Sequence, residues 1–322
     1  MAGFRVVFMG SPEFALPTFR VLLETEDVVC AVTQPDRPKG RGRLSAPPPV
    51  RVEAERAGIP VLQPLRLRDP AAVAEIAAFR PEVIIVVAYG QILPRSLLSV
   101  PKLGCINVHA SLLPKYRGAA PINWAIMRGE MVTGVSIMRM DAGLDTGDVL
   151  LAQATPIGQD ETAMELSARL ASMGARLLLE ALCRLRDHTL FAVPQNNEAA
   201  TLAPRLTKAD GEIDWSASAR QVCNRIRGVR PWPGAYTHWG GSRLKVFGCR
   251  SLGGEADASP GKVWRLEPEG LIVGTGEGRV AVAELQLQGG RRMPAREFML
   301  GHPMPEGTVL GAAGPPARCR RP

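Results

Sequence analysis

The chain has 322 residues, and at 46% hydrophobic content it can fill two cores, so we expect two domains. Its longest uninterrupted apolar run, residues 83–89, is far too short to span a bilayer, and no cleavage-type signal is seen at the amino end. A cytoplasmic protein that associates with no membrane is therefore expected. The six cysteines form no C-x-x-C pair, which predicts reduced, mostly buried thiols rather than a zinc site or a disulfide framework.

The positive charge is unevenly distributed. The formal net charge is +8, with 21 Lys and Arg against 19 Asp and Glu in residues 1–190 and 18 against 12 in residues 191–322. The excess therefore lies in the carboxyl-terminal part. It suits a polyanion such as RNA, and an ordinary soluble basic surface is the alternative.

Strands and helices alternate along the first part of the chain. Apolar runs predict strands at residues 4–9, 28–33, 59–62, 83–87 and 103–108, and helical periodicity predicts helices at 14–23, 69–79 and 162–186. This alternation predicts an α/β domain at residues 1–190 with a doubly wound, Rossmann-like parallel sheet. Only Gly10 is present where a dinucleotide fingerprint needs three glycines, so no dinucleotide cofactor is expected.

Residues 34–49, QPDRPKGRGRLSAPPP, are too rich in Pro, Gly and charge to predict a packed element. The segment is longer than most connections, which favours a functional or mobile loop. Its basic residues could equally be a solvated surface, and they are Arg37, Lys39, Arg41 and Arg43.

The pattern of predicted elements changes in the last third of the chain. Residues 191–206 lack periodicity and are predicted to be a linker. A helix at 218–227 and short strands at 244–249, 261–266, 271–274 and 279–287 then predict a small β-barrel domain at 207–310. Gly and Pro dominate residues 311–322, which predicts a disordered tail.

Two polar residues mark the apolar strand predicted at 103–108: Asn107 lies within it, and His109 directly follows it. Asn107 and His109 are two positions apart, so they should point to the same side at the carboxyl end of the strand, where ligands bind in open α/β sheets. A pair of satisfied structural polar groups is the alternative. Residues 111–114 could offer backbone groups to a flat polar ligand, and Lys115, Arg117 and the small residues 118–120 could admit an anionic substrate.

An acidic, glycine-rich loop, DAGLDTGD, occupies residues 141–148. Asp141 and Asp148 are interpreted as turn residues that bond their own backbone. Asp145 is the candidate partner for the imidazole. An amide donor, a histidine and a carboxylate in one cleft are suited to acyl transfer to an amine.

The run NVHASLLPKYRGAAPI followed by MDAGLDTGD closely resembles the 10-formyltetrahydrofolate-dependent formyltransferases, and especially their methionyl-tRNA-directed members. The resemblance implies that Asn107, His109 and Asp145 are catalytic and that no metal is needed. Ala110 departs from the Gly expected in many relatives, which adds only a methyl group. The residues that the resemblance assigns to folate binding are Ser111, Leu112, Leu113, Pro114, Tyr89, Gly90, Gln91 and Ile92.

The stretches EIDW and PWPGA extend the resemblance into an OB-like domain that follows the linker. The resemblance implies an enzyme that formylates the α-amine of methionyl initiator tRNA, and we expect it to be a monomer. A formyltransferase acting on a small amine, such as an amino sugar nucleotide or glycinamide ribonucleotide, is the alternative, and the second domain and basic loop count against it. The residues expected to contact tRNA are Arg37, Lys39, Arg41, Arg43, Lys208, Arg225, Arg227 and Arg230.

Overall fold

The computed structural model describes residues 3–39, 44–252 and 259–311. Arg41, Arg43 and nearly all of the predicted tail at 311–322 lie outside these ranges. The described residues form two compact units. The first lies within Met1–Pro121, Val132–Pro156 and Ser167–Pro204, and the second within Ile122–Met131, Ile157–Leu166 and Arg205–Pro322.

Strands and helices alternate through much of the chain up to residue 186. The strands are β1 (Arg5–Gly10), β2 (Asp27–Val32), β3 (Arg37–Lys39), β4 (Leu44–Ala46), β5 (Val61–Leu62), β6 (Val83–Val87), β7 (Cys105–His109), β8 (Val132–Arg139) and β9 (Val149–Pro156). The helices are α1 (Leu16–Thr25), α2 (Pro49–Arg56), α3 (Pro70–Ala78), α4 (Arg95–Leu98), α5 (Pro121–Met127) and α6 (Ala163–Arg186). The alternation is interrupted where β2, β3 and β4 follow one another directly, and again at β8 and β9.

The first unit is organised on one sheet, with strand order β5-β2-β1-β6-β7-β8-β9. The strands from β5 to β7 run parallel, whereas β8 is antiparallel to both β7 and β9. Every residue of β6 and of β7 is buried, as expected for inner strands covered on both faces. The predicted Rossmann-like fold is confirmed, and β8 and β9 extend its sheet beyond β7.

The helix predicted at 162–186 is present as α6. Leu166, Leu170 and Leu178 are fully buried, and Met173 and Leu177 are nearly so, which confirms them as core residues. Their spacing gives one apolar stripe along the helix. Within the described part of the chain, no helix combines the length and apolar character needed to cross a membrane.

The prediction that residues 34–49 form no element is wrong. β3 and β4 pair as an antiparallel hairpin, with Arg37 opposite Ala46 and Pro38 opposite Ser45. Proline is tolerated here because both strands of a two-stranded ribbon are edges, where a missing N–H need not break a ladder.

The second unit contains a separate antiparallel sheet, which confirms the predicted fold class of the carboxyl-terminal part. Its strand order is β10-β11-β14-β13-β12, and β15 pairs with β14. Ser218 caps the amino end of the helix at Ala219–Gly228 and forms a capping box with Gln221, which explains why this helix begins there. The elements are α7 (Ala219–Gly228), β10 (Tyr236–Trp239), β11 (Ser242–Leu252), β12 (Val263–Glu267), β13 (Gly270–Gly274), β14 (Arg279–Leu287), β15 (Met293–Pro294) and α8 (Ala295–Gly301).

The segment predicted as a linker pairs with the first unit at two points. Val193 exchanges backbone hydrogen bonds with Val149, at 2.8 and 2.9 Å, and Leu202 forms a bridge with Arg117. These contacts fix much of residues 191–206 along the first unit.

The prediction of reduced cysteines is wrong for one pair. A disulfide joins Cys223 of α7 to Cys249 of β11, whose Cα atoms are 5.3 Å apart. The two residues are 26 positions apart, and only the packing of helix on strand brings them together. Cys30 and Cys105 are free and buried, and burial raises the pKa of each thiol to about 12.

Candidate active site

Strand β7 places Asn107 and His109 on the same side of the sheet, near the carboxyl end of the strand, because side chains alternate along a strand. Asn107 is 8% exposed and His109 is 5% exposed. Among the described residues, none forms a hydrogen bond with the Asn107 side chain. That amide therefore remains available to a ligand.

The His109 ring lies between a backbone carbonyl and a carboxylate. Its Nε2 is 3.0 Å from the Tyr116 carbonyl oxygen, and its Nδ1 is 3.7 Å from Asp145 Oδ2. Because a carbonyl oxygen only accepts, Nε2 must donate to Tyr116, and Nδ1 is the nitrogen left for reacting atoms. The 3.7 Å between Nδ1 and Asp145 Oδ2 is longer than a hydrogen bond, so the carboxylate faces this nitrogen without occupying it.

Asp145 reaches this position from the loop that follows β8. Its Oδ2 accepts a 2.8 Å hydrogen bond from the Gly118 amide, and its backbone lies in the left-handed region at φ 52°. Asp141 instead accepts hydrogen bonds from the Gly143 amide and the Thr146 hydroxyl, so its predicted role as a turn residue is confirmed. The structure therefore brings His109 together with Asp145 and not with Asp141.

The turn at residues 111–114 is fixed by internal hydrogen bonds. Ser111 Oγ donates to the Lys115 carbonyl at 2.6 Å, and Ser136 Oγ donates to the Ser111 carbonyl at 2.8 Å. Ser136 Oγ also accepts from the Leu113 amide at 3.1 Å. The Leu113–Pro114 peptide bond is cis, and Leu112 packs close to Gly134. These hydrogen bonds make the turn rigid. That its four residues contact folate remains a prediction.

The predicted folate residues 89–92 have different surroundings. Tyr89 is 2% exposed within the core, its hydroxyl has no partner among the described residues, and burial raises its pKa to about 12. Gln91 accepts from the Leu67 amide and donates to the Pro64 carbonyl, while Gly90 takes φ 89°. Ile92 is 82% exposed. Of this group, Ile92 presents the most surface to a ligand.

The predicted tRNA residues of the hairpin are only partly described. Arg37 is exposed and donates to the Gln34 side-chain oxygen at 2.9 Å. The backbone of Lys39 lies in β3, and its side chain falls outside the described atoms. Arg41 and Arg43 lie outside the described residues, so their role in tRNA binding stays a prediction.

The residues of the second unit that are predicted to contact tRNA differ in their exposure and in their hydrogen bonds within the protein. Lys208 is exposed, whereas Arg225 donates to the Asp210 carbonyl at 3.0 Å. Arg227 donates to the carbonyls of Gly158 and Glu161, and burial lowers its pKa. Arg227 thus supports the fold of this unit.

Arg230 lines a cleft of about 830 Å³ in the second unit. The cleft is also lined by Arg220, Arg227 and Arg250, and by four acidic residues, Glu130, Asp160, Glu165 and Glu269. Because these charges balance, the cleft is not a strongly positive surface.

The interpretation of Arg117 as a cation facing substrate is wrong. Arg117 is 6% exposed, and its guanidinium donates to the side-chain oxygens of Gln195 and Asn197. Gln195 and the Tyr116 carbonyl are site residues that sequence reasoning missed. No local motif marks them, because both act through contacts made by the folded chain.

The arrangement is suited to acyl transfer. It combines a buried amide, an imidazole with one free nitrogen and a carboxylate directed at that nitrogen, and such groups stabilise a developing oxyanion and move protons. Among the described residues, no group of three or more His, Cys, Asp or Glu side chains is placed to hold a metal ion.

Comparison with known proteins agrees with this chemistry. The family model described as formyl transferase matches residues 5–182, and that of the formyl transferase C-terminal domain matches residues 205–303. The chain is 51% identical over 312 residues to the methionyl-tRNA formyltransferase of Citrifermentans bemidjiense, covering 97% of this chain and 98% of that protein. It is also 51% identical to the methionyl-tRNA formyltransferase of Geobacter sulfurreducens, covering 98% and 99%.

Solved structures show the same fold at low identity. The N-formyltransferase of Helicobacter canadensis, in complex with folinic acid and dTDP-3-aminofucose, has a TM-score of 0.65 at 17% identity and covers 90% of this chain and 100% of that chain. HypX of Aquifex aeolicus, in complex with tetrahydrofolic acid, has a TM-score of 0.62 at 19% identity and covers 97% of this chain and 51% of that chain.

The matches to both family models and to the two bacterial relatives show that the chain belongs to the formyl transferase family, and within that family to the group of methionyl-tRNA formyltransferases.

Proposed function

We propose that this protein transfers the formyl group of 10-formyltetrahydrofolate to the free α-amino group of methionyl initiator tRNA. The proposal is supported by identity of about half to the methionyl-tRNA formyltransferases over nearly the full length of both chains. The observation that ties it to chemistry is the His109 ring, which has its Nε2 on the Tyr116 carbonyl and its Nδ1 facing Asp145.

The reaction joins the amine nitrogen to the formyl carbon and breaks the bond between that carbon and N10 of the folate. One proton leaves the amine and one reaches N10, so no oxidant, reductant or metal is consumed. Attack of the amine places negative charge on the formyl oxygen. The Asn107 amide and the Nδ1–H of His109 are the donors available to that oxygen, because Nδ1 lies 3.7 Å from Asp145 Oδ2, too far for a hydrogen bond that would occupy it. Donors fixed in advance stabilise the oxyanion without reorganisation.

Asp145 faces His109 Nδ1 and can assist removal of the amine proton, directly or through an ordered water. The rigid turn at 111–114 and the exposed Ile92 are proposed to contact the folate. The hairpin at residues 34–49 and the basic residues of the second unit are proposed to contact tRNA. We further propose that the enzyme acts as a monomer in the cytoplasm, where its tRNA substrate is used in translation.

The alternative acceptor is a small amine. The Helicobacter canadensis neighbour was solved with an amino sugar nucleotide, but at 17% identity that likeness concerns the fold. The match of residues 205–303 to the carboxyl-terminal domain and the 51% identity to methionyl-tRNA formyltransferases favour the tRNA substrate.

A direct assay tests the proposal. The purified protein is incubated with 10-formyltetrahydrofolate and one of three acceptors: methionyl initiator tRNA, methionyl elongator tRNA or a dTDP-amino sugar. We expect formyl-methionyl-tRNA from the initiator substrate and much less product from the other two. Formylation of the amino sugar with no product from initiator tRNA would establish the alternative.

A further inference from the structure

Gln195 connects the backbone of the Asp145 loop to a buried arginine. Its Nε2 donates to the Asp145 carbonyl at 3.0 Å and to the Gly147 carbonyl at 2.6 Å. Its Oε1 accepts from Arg117 Nε at 3.1 Å and from Arg117 Nη2 at 2.8 Å. The whole hydrogen-bonding capacity of this side chain is directed at two segments of the site.

The orientation of the Gln195 amide follows from its partners. A guanidinium only donates and a carbonyl only accepts, so the amide oxygen must face Arg117 and the amide nitrogen must face the loop. Arg117 is itself buried and is further fixed by a 2.8 Å hydrogen bond to Asn197 Oδ1. The amide therefore cannot rotate without leaving a buried donor unpaired.

Residues 117–118 and the loop that carries Asp145 form a closed ring of contacts. The Gly118 amide donates to the Asp145 carboxylate, and the neighbouring Arg117 reaches the Asp145 carbonyl through Gln195. The carboxylate and the carbonyl of one residue are thus both fixed from residues 117–118. This matters because Asp145 lies at φ 52°, a conformation that non-glycine residues seldom adopt without support.

We propose that Gln195 is a positioning residue for formyl transfer: it fixes the Asp145 loop so that the carboxylate faces His109 Nδ1. The inference rests on the proposed function only for the identity of the reaction. Gln195 touches neither His109 nor the reacting atoms, and it acts through Asp145.

The test compares Gln195→Glu with Asn197→Ala. The first variant keeps an acceptor for Arg117 but cannot donate to the two carbonyls, whereas the second removes the other acceptor of Arg117 and leaves the loop contacts intact. Gln195→Met, which has nearly the same shape and makes no such hydrogen bonds, is a second variant in case the new carboxylate prevents folding.

For Gln195→Glu we expect kcat to fall about 10- to 100-fold, as for a small misplacement of a catalytic group, with the KM for folate changed less than about threefold. Asn197→Ala should turn over like the parent. In an Asp145→Asn background, Gln195→Glu should cause little additional loss, because both changes act on one contact.

A second measurement needs no turnover. The Gly118 amide proton, which donates to Asp145, should exchange with solvent at least about tenfold faster in Gln195→Glu and at the parental rate in Asn197→Ala. Parental kcat and parental Gly118 exchange in folded Gln195 variants, or losses that add fully to those of Asp145→Asn, would overturn the inference. An inactive parent protein with fast Gly118 exchange in Gln195→Glu would instead overturn the proposed function and leave the positioning role standing.

Discussion

Two aspartates of the loop after β8 illustrate how position decides the role of a residue type. Asp141 is bonded to Gly143 and Thr146 of its own loop, whereas Asp145, four residues later, is bonded to Gly118 and faces His109. The difference arises from backbone conformation, because Asp145 lies in the left-handed region and points away from its own turn. Chemistry at this site therefore depends on conformation as much as on the acidic group.

His109→Ala should lower kcat by about two to four orders of magnitude, because it removes a donor to the oxyanion and a proton-transfer group. The folate Kd should change little, since the turn at 111–114 is fixed by Ser136 and not by the imidazole. Single-turnover kinetics and folate titration measure the two effects separately. Parental turnover by folded His109→Ala protein would remove His109 from the mechanism.

Tyr89→Phe should stabilise the protein by about 1 kcal/mol at neutral pH, because it removes a buried hydroxyl that has no hydrogen-bond partner among the described residues. Burial raises the pKa of Tyr89 to about 12, so the stability linked to its protonated form is complete below pH 10 and is lost as the pH rises through 12. The Phe variant has no such loss, so the difference in free energy of unfolding between the two proteins should widen by about 1.4 kcal/mol at pH 11.

Denaturant unfolding of both proteins at pH 7 and pH 11 measures this difference. Cys30 and Cys105 titrate in the same range in both proteins, so their effect cancels. The folate Kd should stay within about twofold, because the ring lies in the core. A large loss of folate affinity would mean that the hydroxyl reaches the ligand.

At the scale of elements, a polar network closes the base of the β3–β4 hairpin. Arg51 of α2 donates to Asp36 at 2.9 Å and to the Gln63 side chain at 2.8 Å. Gln63 in turn donates to Asp36 at 3.0 Å and to the Gln34 carbonyl at 2.8 Å. The hydrogen bonds from Gln63 and Arg51 lower the pKa of Asp36, so the network is intact at neutral pH and is lost as the pH falls through that lowered pKa.

Asp36→Ala should lower kcat/KM for methionyl-tRNA by roughly two- to tenfold, because it removes the carboxylate on which Arg51 and Gln63 converge at the base of the hairpin. The folate Kd should be unchanged. Glu55→Gln is the matched control, since Glu55 also bonds Arg51 but does not touch the hairpin. Equal losses in the two variants would show that the hairpin needs no fixed base.

At the scale of the whole molecule, the basic excess of residues 191–322 sets the expected salt dependence. Binding of tRNA should weaken with salt, because each phosphate contact releases counterions. Lys208 is exposed, and Lys208→Ala should reduce the slope of log K against log salt by somewhat less than one unit. Filter binding at several salt concentrations measures the slope.

Arg227→Ala is the contrasting variant. Because its guanidinium is bonded to the carbonyls of Gly158 and Glu161, its loss should lower the unfolding temperature of the protein more than it changes the salt slope. An unchanged slope for Lys208→Ala would mean that Lys208 does not contact phosphate.

The sequence by itself determined the features that depend on local patterns. Apolar runs and helical stripes predicted the strands β1, β2, β5, β6 and β7 and the helices α1, α3 and α6 of the first part of the chain, since each element must bury one face. They did not predict β8 and β9. The two-residue period of a strand predicted that Asn107 and His109 share a side, and α6 and α7 begin within one residue of their predicted starts. The NVHASLLPKYRGAAPI run indicated the family, because its polar residues and glycine have fixed spacings along the chain.

Tertiary structure alone decided which distant residues become partners. Gln195 reaches Asp145 across 50 positions of sequence, Arg117 turns inward instead of facing substrate, and Cys223 meets Cys249 across 26 positions. At the base of the β3–β4 hairpin, Asp36 is likewise bonded by Arg51 and Gln63, which lie beyond the hairpin in the chain. These contacts have no local signature, because the packing of distant segments, and not the propensity of either one, brings their atoms within hydrogen-bonding distance.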